Sequence, residues 1–336
     1  MVTKAGLNHV LDKLPGLKQS LDNANIDLFE TDDIHIFGFG SLPSNPHYTP
    51  DENSNANLEV QKGLALGWQR DLCCMSVRSG DYDFPGLTLG LEKNPEINQA
   101  GGILTYQNLS QSEKIDMLEA FFKREHVSEL PIYSFTVVET EREDGKKIKA
   151  IACIADQNSP GYAGHFDKED RTTMIASALN LEQNPPRTSF SYFTRFVVLP
   201  FLADTKDQKS PQNAFETRYQ EALKVEKNNI MQQWEDIEDY RDNIMPEAER
   251  HRREVIELTQ AQNFHSAQIS KSATSPLAEL SSMYLHHLRL KTGIVRPEKP
   301  SHPDLKASFS LHQQKQATTP VKQASQKQKL KTFTPA

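Results

Sequence analysis

"IHIFGFGSL", residues 34–42, is an apolar, β-branched run that breaks into two glycines and ends on a serine. Such a run is typical of a buried strand. Glycines at a strand end allow positive φ angles and a close approach of the backbone, so the amides of the following loop can point together at an anionic group. The stretch therefore predicts a strand that leads into a binding loop.

Two well-known phosphate-binding loops do not fit this stretch. The dinucleotide-binding pattern G-x-G-x-x-G needs a third glycine at the position of Pro43. A P-loop needs a closing Gly-Lys-Ser or Gly-Lys-Thr, which the sequence lacks here. An ordinary glycine-rich turn between two strands remains the alternative, and the motif alone does not decide between this turn and a binding loop.

Composition and charge limit the function classes. Residues 295–336 carry eight Lys/Arg against two Asp/Glu and are rich in Gln, Ser, Thr and Pro, which predicts a disordered basic tail. The remaining residues hold 30 basic and 43 acidic side chains, a net charge of −13. Such an acidic surface argues against binding to DNA or RNA.

Cysteine usage and hydropathy predict a soluble, cytoplasmic protein that has no membrane attachment. Cys73 and Cys74 are adjacent and Cys153 is remote, which is neither a C-x-x-C pair nor a disulfide framework. No signal peptide is visible, and the longest apolar run, residues 196–203, contains Pro200. The Lys/Gln/Ser-rich end loosely resembles translocation signals of bacterial secreted effectors, which would deliver the chain to a host cytosol.

Four segments are predicted along the chain: a helical extension (1–30), a main domain (31–205), a charged helical region (206–292) and the tail (293–336). The main domain contains short β-rich runs with turn-forming residues at their ends. These runs are residues 62–68, 71–77, 87–91, 103–106, 132–140 and 147–155. Asp144-Gly145 predicts a hairpin between the last two.

Helical patterns interrupt and follow these strands. Ser110 and Glu113 have capping-box spacing and open a helix, and two more helices are predicted over residues 167–181 and 189–202. Short strands with inserted helices favour a compact, barrel-like α+β domain over a doubly wound sheet.

An amphipathic stripe follows Pro211, and helical segments continue to about Leu290. Its members are Phe215, Tyr219, Leu223, Ile230, Trp234, Ile237 and Ile244. Such stripes more often pack within their own chain than against a partner, by roughly three to one. A protein partner on these helices is the less favoured interpretation.

Glu125 is the most informative single residue. In a helix that starts near Ser110, it lies on the same face as Leu118, Phe121 and Phe122. A carboxylate on this face would be buried, and burial raises the pKa of a glutamate toward the range of a general base. The alternative is a helix that frays before Glu125 and leaves the side chain solvated; periodicity alone does not separate the two.

FGFGSL (residues 37–42) and Arg124-Glu125 occur in the order and context found in one enzyme family. GWQRDL (67–72), RSG (78–80), PGLTLGL (85–91), GGILTY (101–106) and NSPGYAG (158–164) add to the match. The chain resembles the ChaC-type γ-glutamylcyclotransferases, and specifically their glutathione-specific branch, over roughly residues 34–200.

The resemblance implies a small β-barrel with flanking helices and an enzyme that releases 5-oxoproline and, from glutathione, cysteinylglycine. It implies Glu125 as the general base, and Phe37, Gly38, Phe39, Gly40, Ser41, Leu42 and Tyr162 as substrate-binding residues. The amides of residues 38–42 would receive the charged α-amino-acid end of the glutamyl group. The implied mechanism needs no metal, nucleotide or other cofactor.

Two other functions compete with this interpretation. A catalytically degenerate cyclotransferase fold could bind a ligand or a protein through its helical extension. A metal hydrolase is less favoured, because His35, His47, His126 and His165 lack H-x-x-x-H or H-E-x-x-H spacing.

The tail composition generates one prediction. Deletion of the residues after Gly293 should leave the thermal midpoint and the rate of 5-oxoproline release nearly unchanged, because a segment without apolar periodicity adds little to a folded core. Thermal unfolding and turnover of the full-length and truncated proteins check this. A large loss of either quantity would mean that the tail is part of the fold.

Overall fold

A computed structural model describes residues 4–14, 16–40, 42–43, 45–52, 54–81, 83–125, 132–206 and 210–293. Ser41, His126 and the predicted tail beyond Gly293 lie outside the described residues. The residues up to Thr292 belong to one compact unit.

Five strands form a closed barrel in the order β1-β3-β2-β4-β5. They are β1 (Asp33–Gly38), β2 (Asn57–Ser76), β3 (Gly86–Gln107), β4 (Tyr133–Arg142) and β5 (Lys147–Ala155). The barrel closes where β1 pairs in parallel with β5, with Ile36 opposite Ile151 and Phe37 opposite Ala152. The predicted α+β barrel is confirmed, and β1 is the strand that ends in the glycine loop.

Four of the predicted short strands are wrong as separate elements. Residues 62–68 and 71–77 belong to β2, and residues 87–91 and 103–106 belong to β3. The pairing of β2 with β3 shifts register between Leu66 and Trp68 and again between Asp71 and Cys74. Such irregularities bend long strands around a barrel, and in the sequence they resemble strand ends.

The hairpin between β4 and β5 is confirmed. Gly145 has a φ of 77°, and the Asp144 carboxylate accepts a hydrogen bond from the Lys146 amide at 2.9 Å. These are the local features that a tight turn at Asp-Gly requires.

Helices surround the barrel and continue after it. They are α1 (Lys4–Leu11), α2 (Leu17–Ala24), α3 (Gln111–Glu125), α4 (Lys168–Ser177), α5 (Ser189–Phe193), α6 (Leu199–Lys206), α7 (Ala214–Asn243), α8 (Glu247–Lys271) and α9 (Pro276–Lys291). A π-helical turn (Thr194–Val198) joins α5 to α6. Among the helices that the structure describes, none combines the length and apolar character of a membrane-spanning helix.

The capping box of α3 forms as predicted. The Glu113 carboxylate accepts from the Ser110 amide at 2.8 Å, and the Ser110 hydroxyl accepts from the Glu113 amide at 3.4 Å. The helix predicted over residues 167–181 ends earlier, at Ser177. Leu179–Asn180 forms a short strand, β6, that pairs with β7 (Arg187–Thr188) instead.

The amphipathic stripe of α7 packs within the chain. Phe215, Leu223, Ile230, Trp234 and Ile237 are buried. Ile244, predicted on the same stripe, is 62% exposed. The helix ends at Asn243, so the helical register no longer applies to Ile244, and Met245 is buried in its place.

One hydrophobic core holds α3 in position. It joins leucines of α1 and α2 to Ile34 and Ile36 of β1 and to Met117, Leu118 and Phe121 of α3. The Phe121 ring is fully buried, with its centroid 5.3 Å from that of Phe135. The apolar face of α3 therefore fixes the end of the helix, where Glu125 lies.

Phe121→Ala should lower the free energy of unfolding by about 3–5 kcal/mol, because it removes a buried aromatic ring and leaves a cavity. Denaturant titration measures the loss. Val60→Ala is the control, since Val60 is 44% exposed on β2 and its truncation should cost less than about 0.5 kcal/mol. Equal losses in the two variants would contradict the assigned core.

Candidate active site

A cavity of about 660 Å³ lies where β1 ends. Its lining includes Phe37, Gly38, Phe39, Gly40, Leu42 and Glu125. Six of the eight predicted site residues thus meet at one cavity, although they come from two regions far apart in the sequence. The volume lies within the range of about 300–1,000 Å³ that is usual for small-molecule sites.

The other two predicted residues are placed differently. Ser41 lies outside the described residues. Tyr162 is not among the residues that line the cavity: its backbone bridges to Cys74, and its hydroxyl donates to the Glu92 carboxylate. The structure gives Tyr162 a role in joining strands rather than a place beside the glycine loop.

The two glycines of the loop serve different purposes. A Cβ on Gly38 would lie 2.9 Å from the Leu42 Cβ and 3.0 Å from the Pro43 Cδ, so the chain can double back only if this position lacks a side chain. Gly40 has a φ of 105°, which L-residues rarely adopt, and nothing lies within 4 Å of its ideal Cβ position. Gly38 therefore allows the close turn, and Gly40 supplies the backbone angle.

Glu125 is the last residue of α3, so the helix does not fray before it. Its side chain is 22% exposed, and Arg124 Nε donates to Glu125 Oε1 at 3.1 Å. Burial raises the pKa of Glu125 from its ordinary value, and the adjacent Arg124 charge opposes this without cancelling it. The carboxyl group combines features of both sequence alternatives: it is largely buried, and it is paired with Arg124.

Arg124 connects the helix end to the segment after the glycine loop. Its Nη1 donates to the backbone carbonyl of Asn45 at 2.7 Å while its Nε contacts Glu125. The same guanidinium thus fixes the Glu125 carboxylate relative to the chain that leaves β1.

Neutral phenols and a neutral thiol complete the surroundings of Glu125. The Tyr133 hydroxyl donates to the Leu89 carbonyl at 2.7 Å, and the Tyr192 hydroxyl lies 2.7 Å from Thr88 Oγ1. Burial raises the pKa of both tyrosines and of Cys153, and the nearby Glu125 charge adds to each rise. These groups stay protonated at neutral pH, so they surround the carboxylate without adding negative charge.

Four arginines line the cavity, namely Arg78, Arg124, Arg187 and Arg195. Glu125 is the one carboxylate among the described residues of the lining. A cavity with this excess of positive charge favours an anionic ligand. RSG at residues 78–80 counted only toward the family resemblance, and no sequence pattern singled out Arg187 or Arg195.

The C-terminal helical region also reaches the cavity. Gln260 and Asn263 of α8 belong to its lining. Thr188, another lining residue, donates to the Glu257 carboxylate at 3.0 Å, and Arg241 of α7 donates to the same carboxylate at 2.9 Å. The sequence predicted helices here, but polar residues on a charged helix give no signal that they face a cavity.

Within the described part of the chain, no group of three or more His, Cys, Asp and Glu side chains is arranged to hold a metal ion.

The family model described as ChaC-like protein matches residues 34–184. This segment is somewhat less than half of the chain, and it is similar to the ChaC-like family. The predicted family resemblance is confirmed over this segment, and with it the prediction of an enzyme. The matched segment contains the glycine loop and Glu125; Arg187, Arg195, Gln260 and Asn263 lie beyond it.

The solved structures to which the chain is similar share little sequence with it. A glutathione-specific γ-glutamyl cyclotransferase from yeast is 14% identical, with 59% of this chain and 99% of that chain covered and a TM-score of 0.40. An uncharacterised human protein is 13% identical, with 58% and 99% covered and a TM-score of 0.29. No curated protein sequence matches the chain.

Glu125→Gln should raise the thermal midpoint at neutral pH and leave it unchanged near pH 4. The folded protein holds the Glu125 proton to a higher pH than the unfolded chain does, because burial raises its pKa. The stability of wild type should therefore fall, relative to the variant, as the pH rises from the ordinary glutamate pKa through the raised one.

Thermal midpoints of the two proteins between about pH 4 and pH 8 check this dependence. A stability difference that does not change with pH would contradict the raised pKa.

Proposed function

We propose that this chain is a γ-glutamylcyclotransferase that cleaves glutathione, or a related γ-glutamyl compound, to 5-oxoproline and the released amine; from glutathione this amine is cysteinylglycine. The observation that carries the proposal is the position of Glu125, a carboxyl group with a raised pKa, in the same arginine-lined cavity as the glycine loop. The ChaC-like family match supports this chemistry.

The charge of the cavity suits such a substrate. Glutathione carries two carboxylates and one ammonium group at neutral pH, so it is a net anion. The lining offers Arg78, Arg187 and Arg195 for the carboxylates, since Arg124 is bonded to Glu125 and Asn45, and it offers Glu125 for the ammonium. In this proposal the amides of the loop over residues 38–42 receive the α-carboxylate, which matches a backbone shaped by Gly38 and Gly40.

Glu125 acts as the general base in the first step. The α-ammonium group of the substrate must lose a proton before its nitrogen can attack. A carboxylate in water is a weak base for an ammonium, and the burial of Glu125 raises the pKa of its carboxyl group toward neutrality. Arg124 holds this carboxylate in position through the Nε contact of 3.1 Å.

Cyclisation then forms one bond and breaks another. The free α-amine attacks the γ-carbonyl carbon, a five-membered ring closes, and the amide bond to the cysteinyl nitrogen breaks. That nitrogen takes up a proton as it leaves, so the reaction consumes no water. The nucleophile and the carbonyl belong to one molecule, and a suitably folded intramolecular pair can gain on the order of 7–11 kcal/mol.

The cavity walls keep the reacting groups away from solvent. Tyr133 and Tyr192 are held by hydrogen bonds to Leu89 and Thr88, so they present fixed, uncharged surfaces next to Glu125. Exclusion of water favours ring closure over hydrolysis of the same amide bond.

Glu125→Gln should lower the rate of 5-oxoproline release from glutathione by about 10²–10⁴-fold, because the amide cannot accept the ammonium proton. Binding of glutathione should change far less, since the loop is untouched. The assay presents glutathione and a panel of γ-glutamyl dipeptides to the purified protein. Calorimetry measures binding.

Glu119→Gln is the matched control. Glu119 lies on the same helix, where it pairs with Lys123 at 3.7 Å, and it does not line the cavity. Its substitution should leave turnover unchanged. Full activity of Glu125→Gln would contradict the assignment of the base. A wild-type protein that binds glutathione without forming 5-oxoproline would instead support the binding-module alternative.

A further inference from the structure

Arg195 is a cation on the cavity wall in an unusual backbone setting. It lies in the π-helical turn Thr194–Val198, a helix type that occurs frequently at functional sites. Its guanidinium lies 5.2 Å from the centroid of the Phe196 ring, and both residues line the cavity. This turn lies beyond the ChaC-like segment, which ends at residue 184.

Two neutral oxygens hold the Arg195 side chain. Its Nε donates to the Ser191 carbonyl and its Nη2 donates to Gln260 Oε1, both at 3.1 Å. Gln260 is 2% exposed and also donates from its Nε2 to the Pro186 carbonyl. The guanidinium is therefore fixed in direction, and its Nη1 donors take no part in these bonds.

Within the described residues, no carboxylate directly contacts the Arg195 guanidinium. The Glu257 charge acts on it from a distance, and that carboxylate is bonded to Thr188 and Arg241. Burial lowers the pKa of Arg195 to about 10, so it still carries its charge at neutral pH. A partly buried cation without a directly bonded counter-ion is costly, and an anion that enters the cavity would offset that cost. Arg241, a buried arginine on α7, contrasts with it, because its guanidinium donates to the Glu257 carboxylate at 2.9 Å.

Arg195 and Tyr192 both line the cavity that holds Glu125 and the glycine loop. In the proposed function the loop amides receive the α-carboxylate of the substrate, so the terminal carboxylate is the one left for a cation on the cavity wall. Two residues beyond the γ-carbonyl carbon span about 7 Å when extended. A cavity of about 660 Å³ accommodates this length.

We infer that Arg195, oriented by Gln260, binds the terminal carboxylate of the substrate at the end opposite the γ-glutamyl group. This inference rests on the proposed function and adds the substrate class: γ-glutamyl peptides that end in a free carboxylate, in preference to γ-glutamyl amines or amides. Arg195 is a specificity-determining residue and Gln260 is a positioning residue. Both belong to the helices that follow the ChaC-like segment.

The test compares glutathione with its C-terminal amide, which lacks only the terminal negative charge. Wild type should prefer glutathione in kcat/KM by roughly 10- to 100-fold, the range of one charge-assisted contact. Arg195→Gln should lose this preference by weakening glutathione alone, while the amide keeps its wild-type kcat/KM. Equal use of both substrates by wild type would overturn the inference.

A second variant keeps the test informative if Arg195→Gln does not fold. Gln260→Glu places a carboxylate 3.1 Å from the Arg195 guanidinium, the distance at which the amide oxygen now lies. The new ion pair should occupy Arg195 and reduce the preference for glutathione in the same way. Arg252→Gln, an exposed arginine on α8, is the charge-matched control and should retain the preference.

Binding separates this inference from the proposed function. Calorimetry with Glu125→Gln protein measures the affinity for glutathione and for its amide without turnover. Tighter binding of glutathione, lost when Arg195→Gln is added, supports the subsite even if no 5-oxoproline forms. Release of 5-oxoproline at equal rates from both compounds, with equal binding, would overturn the subsite and leave the proposed function in place.

Discussion

The Arg124 guanidinium joins the two parts of the site that the sequence keeps apart. Its Nη1 donates to the carbonyl of Asn45, 79 residues earlier, while its Nε contacts Glu125. The core beneath α3 fixes the helix, and Arg124 then fixes the helix end to the segment after the glycine loop. The position of the base relative to the loop therefore depends on this bridge as well as on the core.

The charged groups of the cavity suit both proton transfer and anion binding. Arg124 opposes the rise in the Glu125 pKa, and burial outweighs it. If the Arg124 charge outweighed burial, the pKa of Glu125 would lie below its ordinary value, and the carboxylate would be a poor base for an ammonium group. The remaining arginines lie on the walls, where they can meet substrate carboxylates without a direct contact to Glu125.

Local sequence signals predicted the elements that depend on local chemistry. The capping box at Ser110, the hairpin at Gly145 and the apolar face of α3 are such cases, because each is determined by residues within one or two turns. The lengths of β2 and β3 could not be predicted in this way. Their register shifts, near Gly67 and Asp71, are set by the curvature of the closed barrel and resemble ordinary strand ends in the sequence.

The residues of the candidate site also differ in whether local sequence could predict them. The glycine loop and Glu125 were predictable, since one has a distinctive composition and the other a position on an apolar face. Arg195 and Gln260 were not, because a polar residue on a charged helix has the same pattern whether it faces water or a cavity. Tyr162 belonged to a segment that resembled the family, yet tertiary structure places its hydroxyl on Glu92.

A reaction in water enriched in heavy oxygen tests the central claim most directly. In the proposed reaction the substrate's own α-amine displaces the leaving amine from the γ-carbonyl, so that no oxygen from water enters the product. Mass spectrometry of the glutathione reaction should therefore show 5-oxoproline without the heavy isotope, in amounts equal to cysteinylglycine. Glutamate that carries the isotope would identify a hydrolase and contradict the account.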